Sequence, residues 1–144
     1  MSILPSAFDL PAGRLLGLDL GGARIGVAVC DEGGMLASPL TVLQRQPTRA
    51  ADFAAIADLV RRERAVGALV GMPGADNEQA RWTRRYAGRL AGALDVPVAF
   101  WDETLTSVDA AALLREGSGR TGVDAAAAAL ILSDYLEARK RKGL

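Results

Sequence analysis

The apolar positions change rhythm near residue 48 of the chain. Ahead of it they fall in short runs separated by glycines, and beyond it helical spacing alternates with short apolar runs. Arg14 to Leu20 (RLLGLDL) reads as a buried strand, Gly21-Gly22 as a turn, and Arg24 to Asp31 (RIGVAVCD) as a second strand. Glu32-Gly33-Gly34 makes another turn before a third strand from Met35 to Leu43. Strands joined so closely through glycine turns predict an antiparallel meander. Pro39 has no N–H to give to a central ladder, which places the third strand at a sheet edge. In residues 1–13, Pro5, Pro11 and Gly13 interrupt any regular pattern, so this segment is expected to be a flexible leader.

Thr48 suits the N-cap of a helix running to about Arg64, with Phe53, Ile56, Ala57 and Val60 at helical spacing. A strand at Val66 to Gly71, a loop over 72–76, a helix from about Asn77 to Leu94 and a strand from Val96 to Trp101 follow. Thr106 or Ser107 can cap the next helix, which runs to about Glu116. The stretch GSGRTG (117–122) reads as a flexible polar break, the final helix as Val123 to about Arg139, and 140–144 as a basic tail. The predicted class is α/β: a mixed five-stranded sheet, a three-strand antiparallel meander plus parallel strands, flanked by helices, in one domain over residues 14–139.

Composition narrows the chemistry. A chain of 144 residues, half of them hydrophobic, suits one domain with a buried core and excludes the disordered class. The lone Cys30 excludes a disulfide scaffold. With no apolar run near the roughly 20 residues of a membrane span, and no basic stretch opening the N-terminus, the expected location is the cytoplasm. Seventeen basic and seventeen acidic residues cancel, with a pI of about 6.3, so a phosphate-bearing partner has to be held by a local patch. The chain has no histidine. That removes serine triads, cysteine–histidine pairs and histidine-ligated zinc, and leaves carboxylates with hard cations as the available catalytic chemistry.

Ligands of α/β sheets bind at the carboxyl ends of strands. Asp19 ends the first strand just before the glycine turn, Asp102 and Glu103 follow the fifth, and Asp124 opens the last helix. A carboxylate flanked by Leu18 and Leu20 is costly unless paired, hydrogen-bonded or metal-bound, which makes Asp19 the most informative residue. Each position also has a plain structural reading: Asp19 as a cap of the glycine turn, Asp102 and Glu103 as solvated strand-end charges, and Asp124 as a first-turn carboxylate favoured by the helix dipole. Arg24 fits either a phosphate contact or a salt bridge to a nearby carboxylate. Arg81, Arg85 and Arg89 share one helical face, with Arg84, Trp82 and Tyr86 between them, so this helix can track a nucleic-acid backbone. The aromatic pair equally suits core or dimer packing.

Residues 16–28 (LGLDLGGARIGVA) are similar to the opening motif of the YqgF/RuvX family of Holliday-junction resolvases, which is also assigned to maturation of the small-subunit ribosomal RNA precursor. The resemblance continues with GMP at 71–73, WDETLTS at 101–107 and VDAAAAALIL at 123–132, covering Leu15 to Leu136. It implies an RNase H-like fold and a metal-dependent nuclease acting on structured RNA or branched DNA. Asp19, Glu103 and Asp124 match the family's acidic active-site positions, and Arg24 and Thr106 match motif positions nearby. A carboxylate set of this kind suits Mg2+ or Mn2+, hard cations that prefer oxygen ligands. A homodimer would give a symmetric junction two active sites.

The chain also departs from the family pattern. The loop after GMP is short, Thr104 stands where an arginine commonly follows the acidic pair, and the GSGRTG loop carries only Arg120 where relatives are often strongly basic. These changes imply retained metal binding with thinned phosphate contacts. They leave room for a non-catalytic nucleic-acid or ribosome-associated binding module. LDLGG resembles in addition the phosphate-binding turn of actin-like ATPases, but those proteins close two lobes over a nucleotide and this chain has length for one.

Overall fold

A computed structural model of the chain describes residues 3–102 and 119–144, with side chains in the last helix described from residue 123. Its strands are β1 (Leu15–Leu20), β2 (Arg24–Cys30), β3 (Ala37–Gln44), β4 (Gly67–Met72) and β5 (Val98–Asp102). The described helices are α1 (Arg49–Glu63), α2 (Glu78–Ala93) and α3 (Gly119–Arg141). The sheet order is β3-β2-β1-β4-β5. Antiparallel pairing joins β1 to β2 and β2 to β3, and parallel pairing joins β1 to β4 and β4 to β5. This is the mixed five-stranded sheet expected from the sequence. β3 lies at the edge, and its register slips opposite Val27 and Ala28, next to Pro39.

Alternation along the strands sorts the core into two layers. Leu16, Leu18, Leu20, Ile25 and Val27 face Ile56, Leu59, Tyr86 and Leu90 of α1 and α2. Leu15, Ala28, Cys30, Leu69 and Ala99 face Ala128, Leu132, Tyr135 and Leu136 of α3. Each fully buried aliphatic side chain contributes about 1.5–3 kcal/mol. The first buried residues of α3 are small, Ala125, Ala126, Ala128 and Ala129, which explains the alanine run. A Cβ at Gly17 would stand 3.0 Å from the Leu132 Cβ and 3.1 Å from the Ala128 carbonyl oxygen, so the helix backbone lies almost on the sheet.

Local signals place the helix starts. The Thr48 hydroxyl accepts from the Ala51 N–H at 3.2 Å, and the Asn77 side-chain carbonyl accepts from Ala80 N–H at 2.9 Å. α1 stops where Arg64 turns into the left-handed region at φ 55°.

Two segments differ from expectation. Residues 3–13 are packed rather than loose: Ile3 bridges Val98 beyond β5, Ser6 caps a short 3-10 turn over Ala7–Asp9, and Ala7 and Leu10 are buried. The prolines break regular structure here without removing the apolar area between them, and that area covers Trp101 and Tyr135. α3 begins at Gly119, inside the stretch read as a polar break, and continues to Arg141, taking in the first two residues of the expected basic tail. Arg139 is structural, donating to the Leu10 carbonyl at 3.0 Å and the Tyr135 hydroxyl at 2.9 Å. The helix expected from Thr106 or Ser107 to Glu116 lies outside the described residues. None of the described helices is long and apolar enough to cross a membrane.

Candidate active site

The site is assembled from the carboxyl ends of β1, β4 and β5, which point the same way because the strands are parallel. Asp19 is the penultimate residue of β1 and partly buried. It belongs to the row that faces α3, directly opposite Gly26 in the β1–β2 ladder. Opposed residues on paired strands share a face of the sheet. The carbonyl oxygen of Asp124 rests against Gly26 on that face, where a Cβ has no room. Ladder and contact together bring the first described turns of α3 beside Asp19, so two of the sequence-predicted carboxylates come from opposite ends of the chain to one edge.

Arg24 opens β2, and its Nε donates to the Asp124 carboxylate at 2.6 Å, with both side chains 28% exposed. Of the two sequence readings of Arg24, the structure displays the salt bridge. A charge-assisted hydrogen bond of this length orients the carboxylate while leaving the outer guanidinium nitrogens for other partners.

The remaining candidates are spread more widely. Asp102 ends β5 opposite Met72, exposed at the same sheet edge. Glu103 and Thr106 lie outside the described residues, as does the side chain of Arg120. Arg81 and Arg85 are exposed on α2, as are Arg84 and Arg89, and Arg81 lies 4.0 Å from Asp76. The first turn of α2 is tied to the site edge by Gln79, whose side-chain amide donates to the Leu20 carbonyl at 3.4 Å. Arg81 therefore sits near the strand ends and Arg85 one turn further away.

The chain holds a buried polar cluster that sequence reasoning missed. Asp52, in the first turn of α1, is 2% exposed. One of its oxygens accepts from Arg45 Nε at 2.7 Å and from the Tyr86 hydroxyl at 3.0 Å, and the other accepts from the Gln46 N–H at 2.7 Å. The Arg45 guanidinium also lies over the rings of Trp82 and Tyr86, 5.1 and 4.9 Å from their centroids. Burial, and then the charge of Asp52, push the Tyr86 phenol far above its usual range. The available signal was the position of Asp52, one turn before Ile56 on the stripe that α1 buries.

Asp19 and Asp124 offer hard carboxylate oxygens, and the close seating of the Asp124 backbone on Gly26 brings both residues to the same edge of the sheet; this donor chemistry fits a divalent cation such as Mg2+ or Mn2+. Among the described residues alone, no group of three or more ligating side chains forms, and Glu103, the third carboxylate of the expected set, is not among them.

A family model described as RuvX, Holliday junction resolvase, matches residues 13–138. The chain belongs to the RuvX family. A relative from Anaeromyxobacter sp. (strain Fw109-5) is 44% identical over 135 residues, covering 88% of this chain and 98% of the relative. One from Syntrophus aciditrophicus (strain SB) is 44% identical over 134 residues, covering 87% of this chain and 89% of the relative. Both carry a provisional name, pre-16S rRNA nuclease. Among solved structures, Thermus thermophilus RuvC in complex with a Holliday junction substrate superposes with a TM-score of 0.61 at 17% identity, over 89% of this chain and 96% of that one. The fowlpox virus resolvase with Holliday junction DNA gives 0.55 at 10% identity, over 87% and 97%. At such identities the likeness shows the fold, and the fold of this RuvX chain is RNase H-like.

Proposed function

We propose that this chain is a divalent-metal-dependent nuclease that hydrolyses phosphodiester bonds in structured nucleic acid. Asp19, Glu103 and Asp124 are its catalytic and metal-holding carboxylates, and Arg24, Arg81, Arg85, Thr106 and Arg120 its nucleic-acid contacts. The observation that carries this reading is the seating of Asp124 on Gly26, which sets it beside Asp19 at the strand ends. The relatives' names favour pre-16S rRNA 5′ processing, and the solved neighbours favour branched DNA. Both substrates present the same chemistry, a phosphodiester in a folded polyanion, and the closely related chains make ribosomal RNA the first choice. A cytoplasmic location and a homodimer with two active sites accord with those substrates.

The roles divide by geometry. Asp19 is fixed on a strand inside the sheet and Asp124 on a helix packed against it, so both are held before substrate arrives. Bound Mg2+ or Mn2+ supplies charge neutralisation at the reacting phosphate and a hydroxide source near neutral pH. Arg24 holds Asp124 in place and turns its outer nitrogens toward the phosphate. The α2 arginines bind the backbone away from the cut.

The test is cleavage of labelled single-stranded DNA, four-way DNA junctions and a structured 16S precursor RNA by wild type, Asp19→Asn and Asp124→Asn, each with Mg2+, Mn2+ or EDTA. The expected result is cutting that needs metal and is lost in both variants. Binding that persists in both variants without any cutting by wild type sinks the proposal and leaves a binding module on a nuclease fold.

A further inference from the structure

The turn after Asp19 is gripped from outside the site. Gly21 N–H donates to the Arg24 carbonyl at 2.9 Å, closing the turn between β1 and β2. Arg45, just past the end of β3, holds this turn twice: its backbone N–H donates to the Ala23 carbonyl at 3.0 Å, and its Nη1 to the Gly21 carbonyl at 3.1 Å. The same guanidinium is locked by Asp52 and sandwiched against Trp82 and Tyr86 of α2. Its side chain is only 19% exposed, and its Nε and Nη1 each donate to a protein acceptor, so it is poorly placed to contact a phosphate.

We infer that Arg45 is a positioning residue of this site, holding the turn that joins Asp19 to Arg24 at a fixed distance from α1 and α2. The inference rests on the nuclease reading of Asp19 and Asp124 and extends it to a residue on the other face of the sheet. The planar fork reaches the Asp52 carboxylate and the Gly21 carbonyl at once, which a lysine ammonium on a flexible stem cannot reproduce. Asp19 lies two residues before Gly21, and Arg24, the partner of Asp124, three after it. Loosening the turn therefore shifts a metal-holding carboxylate and the orienter of the other together. The arrangement also couples α2, which carries the exposed arginines, to the catalytic turn through Arg45, Trp82 and Tyr86.

The experiment compares the full chain with Arg45→Lys, Arg45→Met and the double variant Arg45→Met/Asp52→Asn, which leaves no unpaired buried charge. Thermal midpoints establish that each is folded. Steady-state cleavage separates kcat from KM, calorimetry measures Mn2+ affinity, and amide exchange followed by mass spectrometry reports on residues 19–24. The expected result for the folded double variant is a kcat lower by about 100-fold, as for a displacement near 1 Å, with KM moved by no more than about twofold. Mn2+ affinity falls and exchange over 19–24 quickens in the same variant, and Arg45→Lys lies between it and wild type. A folded double variant with wild-type kcat, Mn2+ affinity and exchange overturns the inference. A wild type that neither cuts nor binds Mn2+ overturns the nuclease reading instead, and Arg45 is then judged by exchange alone: unchanged rates over 19–24 remove its positioning role.

Discussion

The backbone carbonyl of Asp124 packs against Gly26, the residue directly across the β1–β2 ladder from Asp19. A side chain at position 26 would occupy the space of that carbonyl, so the glycine sets how closely α3 approaches the sheet at the carboxyl end of β1. The alanine run and Gly17 continue the same close contact along the helix. Separation of the two carboxylates is thus controlled by a residue with no side chain of its own.

Gly26→Ala is expected to lower stability by about 1–3 kcal/mol, the range for overpacking a filled core. Urea denaturation checks this. Cleavage and Mn2+ affinity should fall by more than the stability change accounts for, measured well below the unfolding midpoint. A variant that is destabilised yet cuts at the wild-type rate would show that the two carboxylates tolerate displacement of α3.

The Arg24–Asp124 pair allows a separation of charge from geometry. Both partners are 28% exposed, so its loss in Arg24→Met should cost no more than about 1 kcal/mol. Activity should fall by about tenfold or more, because Asp124 loses its orienter and the phosphate loses a cation. Arg24→Lys restores the charge but not the directed Nε bond, and is expected to recover KM better than kcat. Equal recovery of both would make Arg24 a simple point charge.

Most of the architecture was legible because its signals are local. Glycine turns, the cap at Thr48, the helix start near Asn77 and the apolar runs each act within a few residues, and Pro39 marked the edge strand correctly. Asp19 stood out as an acid beside buried leucines, whereas Asp124 was read as opening the last helix and in fact lies five residues after its start at Gly119. Arg45 and Asp52 were not: they lie seven residues apart, and their meaning depends on Tyr86, from a helix that only tertiary packing brings near. The leader was misread for the opposite reason. Pro5 and Pro11 were given more weight than the apolar residues between them, which the Trp101–Tyr135 surface buries.

Tyr86 makes stability depend on pH in the alkaline range. Its phenol is raised above the unfolded value by burial first and by the Asp52 carboxylate second. The folded protein therefore keeps this proton to higher pH than the unfolded chain, whose tyrosines titrate near about 10. Its contribution is complete below that pH and is lost as pH rises through the folded value. Tyr86→Phe should cost about 1.5–3 kcal/mol at pH 8, the range for a hydrogen bond to a charged acceptor. The cost should shrink between pH 10 and 11, because wild type weakens there and the variant lacks this titration. Urea midpoints at pH 8, 9, 10 and 11 measure the difference, and a constant gap across the series would contradict the buried, proton-holding phenol.

The exposed arginines of α2 should appear in the salt dependence of binding. Each phosphate contact releases condensed counterions, so log affinity falls with log salt by about 0.7 per contact on single strands and about 0.9 on duplex. Arg81→Gln with Arg85→Gln is expected to reduce the slope by about 1.4–1.8 and to place the loss of activity mainly in KM. Because Arg81 sits in the first turn of α2, tied to the strand ends through Gln79, it should carry the larger share of any effect on kcat. Fluorescence-anisotropy titrations of the cleaved substrate from 50 to 200 mM salt, with Ca2+ replacing Mg2+ to hold back cutting, measure the slope. An unchanged slope in the double variant would move the nucleic-acid path off α2 and leave Arg24 as the main described cation at the site.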